Sequence, residues 1–533
     1  MAGSPYVPDA KKYHPGDLER VPGEPPDPDP ASWGMQPDGT FLPPALTPSV
    51  PRDIFVDWEG QLPEYDQKKY LVNTTEEGFW PYVTNTSHSW QAIYDMDGRR
   101  YMLHYGGGNR WNVYDITDPR DLQLVDEETL PWTGPGFGAV TIAWNEKLGK
   151  RIAIQASETP RYFLKGRVAN KHLDPTVEPQ LLEWEGLRGF RVFEVKGPTP
   201  RDWELLATVS TDPNHGPDEI QEGNGVLDLP VYYGGDYLFV GSAPDNTFVN
   251  QPYKTTLWTA GHIAYDVSDP ADPKRLSTWW VNGSRRGEEV DSPYLRDNPR
   301  WDNKTSWFGS RMGLFMPRSV ESGWKYGYAA QGGQGFFVLD VSDPSNMREV
   351  GWCPLPESVA GTEGDNVDTT QVEATGYVYV SGYPMNTDCY EPAKDIYQID
   401  VSDPTRPRLT SILPRPMPPA EAAPMTDYAQ RRGSFGPKRS GYFINTGTPH
   451  GGIIPYAFYA GGLQIFDVRD PQNITVGAQF VPPMGLKIDD DMAAPVHGIF
   501  VEWDRNIIWL FANHGIYAVS TPLLGEPVVG LPG

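Results

Sequence analysis

The chain repeats one short phrase five times: an apolar strand that ends in Asp, a two-residue step, and then Asp-Pro. The full copies are VYDITDP (113–119), AYDVSDP (264–270), VLDVSDP (338–344), QIDVSDP (398–404) and IFDVRDP (465–471). Two degenerate copies, VFEVKGP (192–198) and IYAVSTP (516–522), bring the number to seven. Self-similarity at a recurring spacing is the signature of a repeat architecture, in which each copy marks one structural unit.

Each copy lies among four short β-type runs that are separated by turn residues. In the last repeat the runs are HGIFVEWD (497–504), NIIWLFA (506–512), GIYAVS (515–520) and EPVVG (526–530). Units of four antiparallel strands that repeat around an axis form a β-propeller, so the sequence predicts an all-β, seven-bladed β-propeller. From first to third strand, the predicted blades cover 88–116, 138–195, 226–267, 306–341, 367–401, 441–468 and 496–519.

The Asp-Pro phrase also has a predicted structural role. Pro cannot donate to a strand ladder, and a preceding Asp can bind nearby backbone N–H groups, so we place the phrase in the turn between the third and fourth strands. The phrase resembles the strand that names the LVIVD-repeat proteins, a family of β-propellers. The resemblance implies architecture only, because the family's functions are diverse, and it transfers no catalytic residue.

Two segments fall outside this pattern. Residues 1–66 are rich in Pro and are predicted to form an extended arm that packs on the propeller domain, 67–533, or that contacts a second copy in a homo-oligomer. The run KYLVNTTEE (69–77) precedes the first blade; it either completes blade seven as ring closure or duplicates the role of 526–530. Long insertions at 158–188, 281–305 and 414–440 are predicted to extend one face of the ring, which favours that face for binding.

The overall charge excludes several partners. A net charge of −26 argues against nucleic acid and against an anionic membrane, since both require a basic surface. Two cysteines exclude a disulfide framework. The first residues contain no apolar segment of the kind found in secretory signals, so we expect a cytoplasmic protein.

Unrepeated polar residues near the starts of the first strands are the candidates for function, because these strands line the axis of a propeller. Counting back from the turn after each first strand places His88 and His497 at the same inner position, on blades that become neighbours when the ring closes. The predicted catalytic residues are His88, His497, Arg311, Arg439, Glu363 and Asp365. Histidine suits general acid–base catalysis, and arginine can stabilise a developing negative charge.

The remaining candidates would bind the substrate or a metal. The predicted substrate-binding residues are Trp90, Trp132, Phe137, Trp307, Glu222 and Asn224, which combine aromatic walls with polar groups. No cofactor is predicted. A divalent metal on the axis is the alternative, held by His88 and His497 with a third ligand from His104, His262 or His514.

Three classes of function follow. The first is an enzyme that acts on a small, partly apolar or aromatic substrate by acid–base chemistry, as a lyase, hydratase, isomerase or hydrolase. The second is a non-catalytic platform for protein–protein interaction. The third is a redox enzyme with an axial metal.

Overall fold

The structure is a computed structural model that describes residues 67–81, 91–105, 110–129, 137–158, 186–248, 261–285, 288, 313–332, 334–356, 362–383, 394–423, 425–428, 435–441, 446–483, 496–512 and 514–531. Residues 1–66 lie outside this set, so the predicted arm stays a prediction. None of the helices within the described ranges is long and apolar enough to cross a membrane.

Seven antiparallel sheets follow one another along the chain. Two strands, β1 (Leu71–Val72) and β2 (Thr75–Pro81), precede the first sheet. Blade one contains β3 (Gln91–Met96), β4 (Arg99–Tyr105), β5 (Arg110–Asp115) and β6 (Gln123–Thr129). Blade two contains β7 (Phe137–Asn145), β8 (Lys150–Ser157), β9 (Gly189–Val195) and β10 (Trp203–Ser210). Blade three contains β11 (Leu227–Tyr232), β12 (Tyr237–Ser242), β13 (Gly261–Asp266) and β14 (Lys274–Trp279).

The other four blades continue the same order. Blade four contains β15 (Tyr326–Ala330), β16 (Phe336–Asp340) and β17 (Arg348–Cys353). Blade five contains β18 (Thr362–Asp368), β19 (Tyr377–Tyr383), β20 (Ile396–Asp400) and β21 (Arg408–Ile412). Blade six contains β22 (Phe435–Ser440), β23 (Ile453–Tyr459), β24 (Leu463–Asp467) and β25 (Thr475–Phe480). Blade seven contains β26 (Val496–Glu502), β27 (Ile507–Ala512) and β28 (Gly515–Ser520).

Helical structure within the described ranges is confined to single turns. One α-helical turn spans Val372–Thr375, and 3₁₀ turns span Gln67–Tyr70, Pro200–Asp202, Pro344–Asn346 and Ala420–Ala422. The first strand of each blade is the innermost, since β3 contacts β7, β7 contacts β11, and β22 contacts both β18 and β26. The predicted seven-bladed β-propeller is therefore confirmed.

The ring closes with a strand from the start of the described chain. Strand β2 pairs antiparallel with β28, from Thr75 opposite Ser520 to Pro81 opposite Gly515. Strand β1 pairs with β25 and adds a fifth strand to blade six. Ring closure by the segment that begins near residue 69 is thus confirmed, whereas the predicted fourth strand at 526–530 is wrong. That segment instead binds the turn after β26, where Val528 N–H donates to the Arg505 carbonyl.

The Asp-Pro turns have the structure that the sequence predicts. In each full copy the first Asp accepts the backbone N–H two residues on, at 2.8–3.1 Å. The second Asp does the same, at 2.9–3.0 Å. Both carboxylates therefore fix the turn between the third and fourth strands, which confirms a role in the scaffold.

Two predicted blade boundaries need correction. The first strand of blade six was predicted to begin at 441, but it is β22, which ends at Ser440. Its sequence contains Gly436 and Pro437, residues that usually interrupt a strand and that occur here within a bulge. The described part of blade four is a sheet of three strands. The first strand was predicted to begin at 306, but in its place the described residues form a single β-bridge, between Phe315 and Tyr328. Residues 301–312 lie outside the described ranges.

Candidate functional site

Charged side chains from the inner strands of three blades meet inside the ring. Arg439 of blade six lies 3.9 Å from the Asp228 carboxylate of blade three, measured between Nη2 and Oδ2. Lys438 Nζ lies 4.0 Å from Asp365 Oδ2 of blade five. All four side chains are at most 10% exposed. Together with Asn366, these residues form what we call the axial cluster.

The pair between Arg439 and Asp228 locates the cluster. Blades three and six are not neighbours in the ring, so two side chains that join them must extend across its interior. The strand register places this contact toward the end where the second strand turns into the third, because Arg439 pairs with Ala457, two residues before β23 ends. Strand β8 ends at Ser157 and β9 begins at Gly189 at that same end of the ring.

Backbone bulges direct these side chains inward. In β11, β18 and β22 the register shifts so that three residues oppose one residue of the second strand. The bulges contain Asp228 in blade three, Asp365 in blade five and Lys438 in blade six. A bulge bends its strand and changes the direction of its side chains, and bulges are common beside active sites. Three equivalent bulges thus supply three of the four charges.

Asn366 connects two of the blades that form the cluster. Its side-chain amide donates to Asp365 Oδ2 at 2.9 Å and to the Lys438 carbonyl at 2.5 Å, and Asn366 is fully buried. These hydrogen bonds fix the orientation of the Asp365 carboxylate relative to blade six. The cluster therefore presents two acceptor carboxylates and two cations in a site largely removed from water, where electrostatic interactions are stronger than in solvent.

The predicted catalytic residues have three outcomes. Arg439 and Asp365 both lie in the axial cluster, although Arg439 is inside its strand rather than just before it. His88 and Arg311 lie outside the described residues. Only the backbone is described for His497 and Glu363; each occupies an inner strand, β26 and β18 respectively.

The predicted substrate-binding residues divide in the same way. Trp90, Trp132 and Trp307 lie outside the described residues, and for Phe137 only the backbone of the inner strand β7 is described. Asn224 and Glu222 belong to the connection that enters blade three. Asn224 is fully buried, and its Oδ1 accepts the Ala243 N–H at 2.7 Å.

The sequence patterns did not predict a role for Asp228 or His215. Asp228 interrupts the apolar run VLDLPV, and this single acidic residue was the available signal. His215 Nδ1 donates to Asp212 Oδ2 at 2.9 Å, and this hydrogen bond raises the pKa of the imidazole. Asp212 also accepts the Glu222 N–H at 2.7 Å.

Asp212, His215 and Glu222 are the one group in the described part of the chain that brings three potential metal ligands together, with ligand atoms within 4.8 Å of one another. Arg188 lies close by. Burial lowers the pKa of its guanidinium to about 10, and the charges of Asp212 and Glu222 oppose that shift. The negative charges of Asp212 and Glu222 thus balance the positive charge of Arg188 and of a protonated His215. We therefore assign this group a structural role in the segment that connects β10 with β11.

None of the three histidines considered as a third axial ligand lies on an innermost strand. His104, in β4, is fully buried and stacks on Phe511 with ring centroids 4.9 Å apart. His262, in β13, contacts Gln331 of blade four at 2.9 Å, and burial lowers its pKa to about 3. His514 precedes β28 and contacts the Tyr517 hydroxyl at 2.7 Å. An axial metal centred on His88 and His497 stays a prediction, since neither side chain is described.

One repeat of this chain is similar to a known family of repeats. A family model for the LVIVD repeat matches residues 322–354, which contain the strands of blade four. Blade four is thus similar to an LVIVD repeat, in a chain that folds as a seven-bladed β-propeller. The expected family resemblance is thereby confirmed. No curated protein matches the chain.

Several solved structures show a distant likeness. Sqt1 from Chaetomium thermophilum is 10% identical, with a TM-score of 0.38, covering 81% of this chain and 82% of that one. The β-propeller domain of Cps50 (Swd1) from Myceliophteria thermophila is 10% identical, with a TM-score of 0.39, covering 85% and 99%. The computationally designed protein Ika8 is 8% identical, with a TM-score of 0.38, covering 82% and 97%.

Proposed function

We propose that this propeller is an enzyme that acts on a small, partly apolar organic molecule by acid–base chemistry at the axial cluster. The observation that carries the proposal is the meeting of Arg439 with Asp228, and of Lys438 with Asp365, inside the ring. Removing charged groups from water is unfavourable, and a propeller ring does not require charges on its axis to fold. Their presence at one end of the interior favours a catalytic use.

The chemistry of each group suggests a role. Asp365, held by Asn366, is positioned to accept a proton from a bound substrate. Lys438 and Arg439 are positioned to stabilise the negative charge that develops when that proton leaves. His497 and His88, which the sequence places at an inner level, would return a proton at the end of the reaction. Such a set serves a lyase, hydratase, isomerase or hydrolase.

The same burial argues against the interaction platform at this site. A protein partner contacts surface that is exposed before binding, whereas the side chains of Arg439 and Lys438 are 2% and 1% exposed. We infer that a small molecule reaches these groups from the end of the ring at which they lie. The aromatic residues predicted beside the axis, Trp90, Trp132, Phe137 and Trp307, would contact its apolar part.

A substrate screen with two site variants tests this proposal. The purified chain is incubated with a panel of small aromatic and terpenoid compounds, and any turnover is then measured for Asp365→Asn and Arg439→Gln. We expect each variant to reduce kcat by about 100-fold or more, since positioned acid–base and electrostatic groups contribute on that order. Circular dichroism should show an unchanged fold.

A matched control comes from an ion pair of the same type outside the inner strands. Arg415 and Asp427 pair at 2.9 Å in the segment that precedes blade six. Asp427→Asn should leave kcat unchanged. If the two axial variants keep full activity on a substrate that the chain converts, the axial cluster is not the catalytic site.

A further inference from the structure

We propose that Asp368 makes the junction between blades five and six sensitive to pH: its protonated carboxyl group stabilises the junction, and its ionised carboxylate weakens it. Asp368 is the last residue of β18, the inner strand of blade five, and it is 1% exposed. Strand β18 packs against β22 of blade six, which ends at Ser440. Asp368 lies outside the axial cluster, so this property does not depend on the proposed function.

The two carboxyl oxygens of Asp368 have different surroundings. Oδ1 accepts the Thr370 N–H at 2.8 Å and the Thr370 hydroxyl at 2.5 Å. Oδ2 is buried and makes no hydrogen bond within the part of the chain that the structure describes. The Ser440 hydroxyl of blade six is near enough to lower the pKa of Asp368, yet it too is buried without a hydrogen bond of ordinary geometry. A proton on Oδ2 would remove the buried charge and provide an O–H group that can donate to this hydroxyl.

Neutral amides bridge blades five and six on both sides of Asp368. Asn366, two residues before it, donates to the Lys438 carbonyl at 2.5 Å. Gln371, three residues after it, donates to the His450 carbonyl at 3.1 Å. These bridges carry no charge, so an ionised Asp368 would place a charge between two neutral contacts. Such a buried charge is tolerated where a cation lies beside it.

No cation pairs with Asp368 among the residues that the structure describes, and its pKa responds to burial and to two hydroxyl groups. The cations of β22, Lys438 and Arg439, lie beside carboxylates of the axial cluster. Arg318, in the segment before β15, pairs with Glu373 at 2.8 Å on partly exposed surface. Because burial of a carboxylate without a cation is unfavourable, the protonated form of Asp368 is favoured in the folded chain.

The titratable groups that pack around Asp368 supply no countercharge. Tyr379 of β19 lies opposite Asp368 in the strand register, and burial raises the pKa of this tyrosine to about 12. On the other side of β18, strand β15 has the sequence YGYAA, which contains no charged side chain. The imidazole of His450, in blade six, contacts Asn506 Oδ1 of blade seven at 2.9 Å. A pH dependence that disappears in Asp368→Asn therefore belongs to Asp368.

The pKa of Asp368 fixes the direction of the pH effect. Burial raises this pKa, and the hydroxyl groups of Thr370 and Ser440 oppose the rise only in part. The carboxyl of the unfolded chain has a pKa of about 3.9. Because the folded pKa is the higher of the two, stabilisation by the proton is complete below that value and is lost as the pH rises through the folded pKa. Asp400 of the same blade behaves in the opposite way, since its folded pKa is lowered.

Infrared difference spectroscopy of the full chain in D₂O detects the proton directly. A protonated carboxyl group gives a C=O stretching band that a carboxylate lacks, and subtracting the spectrum of Asp368→Asn isolates the band of Asp368. We expect this band at pH 6 and a weaker band as the pH rises to 10. Absence of the band at pH 6 would overturn the proposal.

Urea unfolding at pH 5 and pH 8 measures the effect on stability. Asp368→Asn keeps the shape of the protonated carboxyl group and has no carboxyl proton to lose. We expect the unfolding equilibrium constant of the unaltered chain, divided by that of the variant, to rise by about 10-fold or more between these pH values. Asp400→Asn is the matched control, and its ratio should stay nearly constant because a lowered pKa keeps Asp400 ionised throughout. A ratio for Asp368→Asn that stays constant or falls would contradict the proposal.

Thr370→Val is a second variant should Asp368→Asn fold poorly. It removes the hydroxyl that donates to Asp368 Oδ1 and keeps the backbone N–H, at a residue that is only partly buried. A donor to a carboxylate lowers its pKa, so we expect the infrared titration of Asp368 to move to higher pH by about one unit. The difference between the spectra of Thr370→Val and of the unaltered chain shows this shift. Identical titrations in the two chains would show that Asp368 does not carry the proton, and the proposal would fail.

Discussion

At the scale of single residues, the Asp residues of the repeated Asp-Pro phrase and the Asp residues outside it have different roles. The repeated Asp400 accepts the Ser402 N–H at 2.9 Å and pairs with Arg408 at 2.7 Å. The hydrogen bond from Ser402 lowers the pKa of its carboxyl more than its partial burial raises it, and Arg408 lowers it further. The unrepeated Asp228 and Asp365 are more deeply buried, and they lie 3.9 Å from Arg439 and 4.0 Å from Lys438 respectively. A repeated residue stabilises each blade, and departures from the repeat supply the residues of the proposed site.

Replacing Asp400 tests the structural role of the turn. Asp400→Ala removes the acceptor for the Ser402 N–H and should reduce the free energy of unfolding by about 1 kcal/mol. Asp400→Asn keeps an acceptor at the same position and should lose less. Urea unfolding at pH 7 measures both changes. An Asn variant that loses as much as the Ala variant would show that the charge, rather than the hydrogen bond, stabilises the turn.

The lowered pKa of Asp400 fixes the sign of its pH dependence. Because the folded pKa is lower than that of the unfolded chain, about 3.9, the ionised carboxylate adds stability at higher pH. That contribution disappears as the pH falls through the folded pKa. Unfolding measured between pH 6 and pH 3 should therefore show a smaller loss of stability for Asp400→Asn than for the unaltered chain, since the variant has no carboxyl to titrate.

At the scale of strands, the repeat predicted some elements better than others. The third strands were placed correctly because the Asp-Pro turn gives each one a chemically necessary end. The first strands were less predictable, since bulges in β11, β18 and β22 break the alternation of inward and outward residues. Arg439 and Asp365 were found because they are charged residues near an inner strand. Asp228 was missed because contacts across the ring leave no trace in local spacing.

The closing strand β2 allows a test by truncation. A chain that begins at residue 67 retains β1 and β2 and should keep the thermal stability of the full chain. A chain that begins at residue 82 lacks the strand that pairs with β28, which leaves an unpaired edge on blade seven. We expect this shorter chain to aggregate or to unfold at least 10 °C lower in a thermal melt. Equal melting temperatures would show that β2 is not needed to close the ring.

At the scale of the whole molecule, closure also depends on a buried charge network between blades seven and one. Glu502 is fully buried and accepts Arg100 at 2.5 Å, Arg505 at 2.6 Å and the Trp509 indole N–H at 2.5 Å. Arg505 in turn donates to the Ile116 carbonyl of blade one at 2.9 Å. The Glu502 carboxylate thus contacts an arginine of blade one and an arginine of blade seven. Strand β2 adds to this junction by pairing with β28 of blade seven.

Glu502→Gln should therefore weaken the whole ring. The substitution keeps the shape of the side chain but removes the charge that Arg505 contacts, while Arg100 keeps its pairs with Asp95 and Asp504. We expect the loss at the buried Arg505 to lower the free energy of unfolding by about 3 kcal/mol. The matched control is Glu373→Gln, which removes the pair with Arg318 between blades four and five, where the two side chains are 49% and 39% exposed. An exposed pair contributes about 0–1 kcal/mol, so the control should unfold nearly as the unaltered chain does. Equal losses in the two variants, measured by urea unfolding, would show that the junction between blades seven and one has no special part in holding the ring closed.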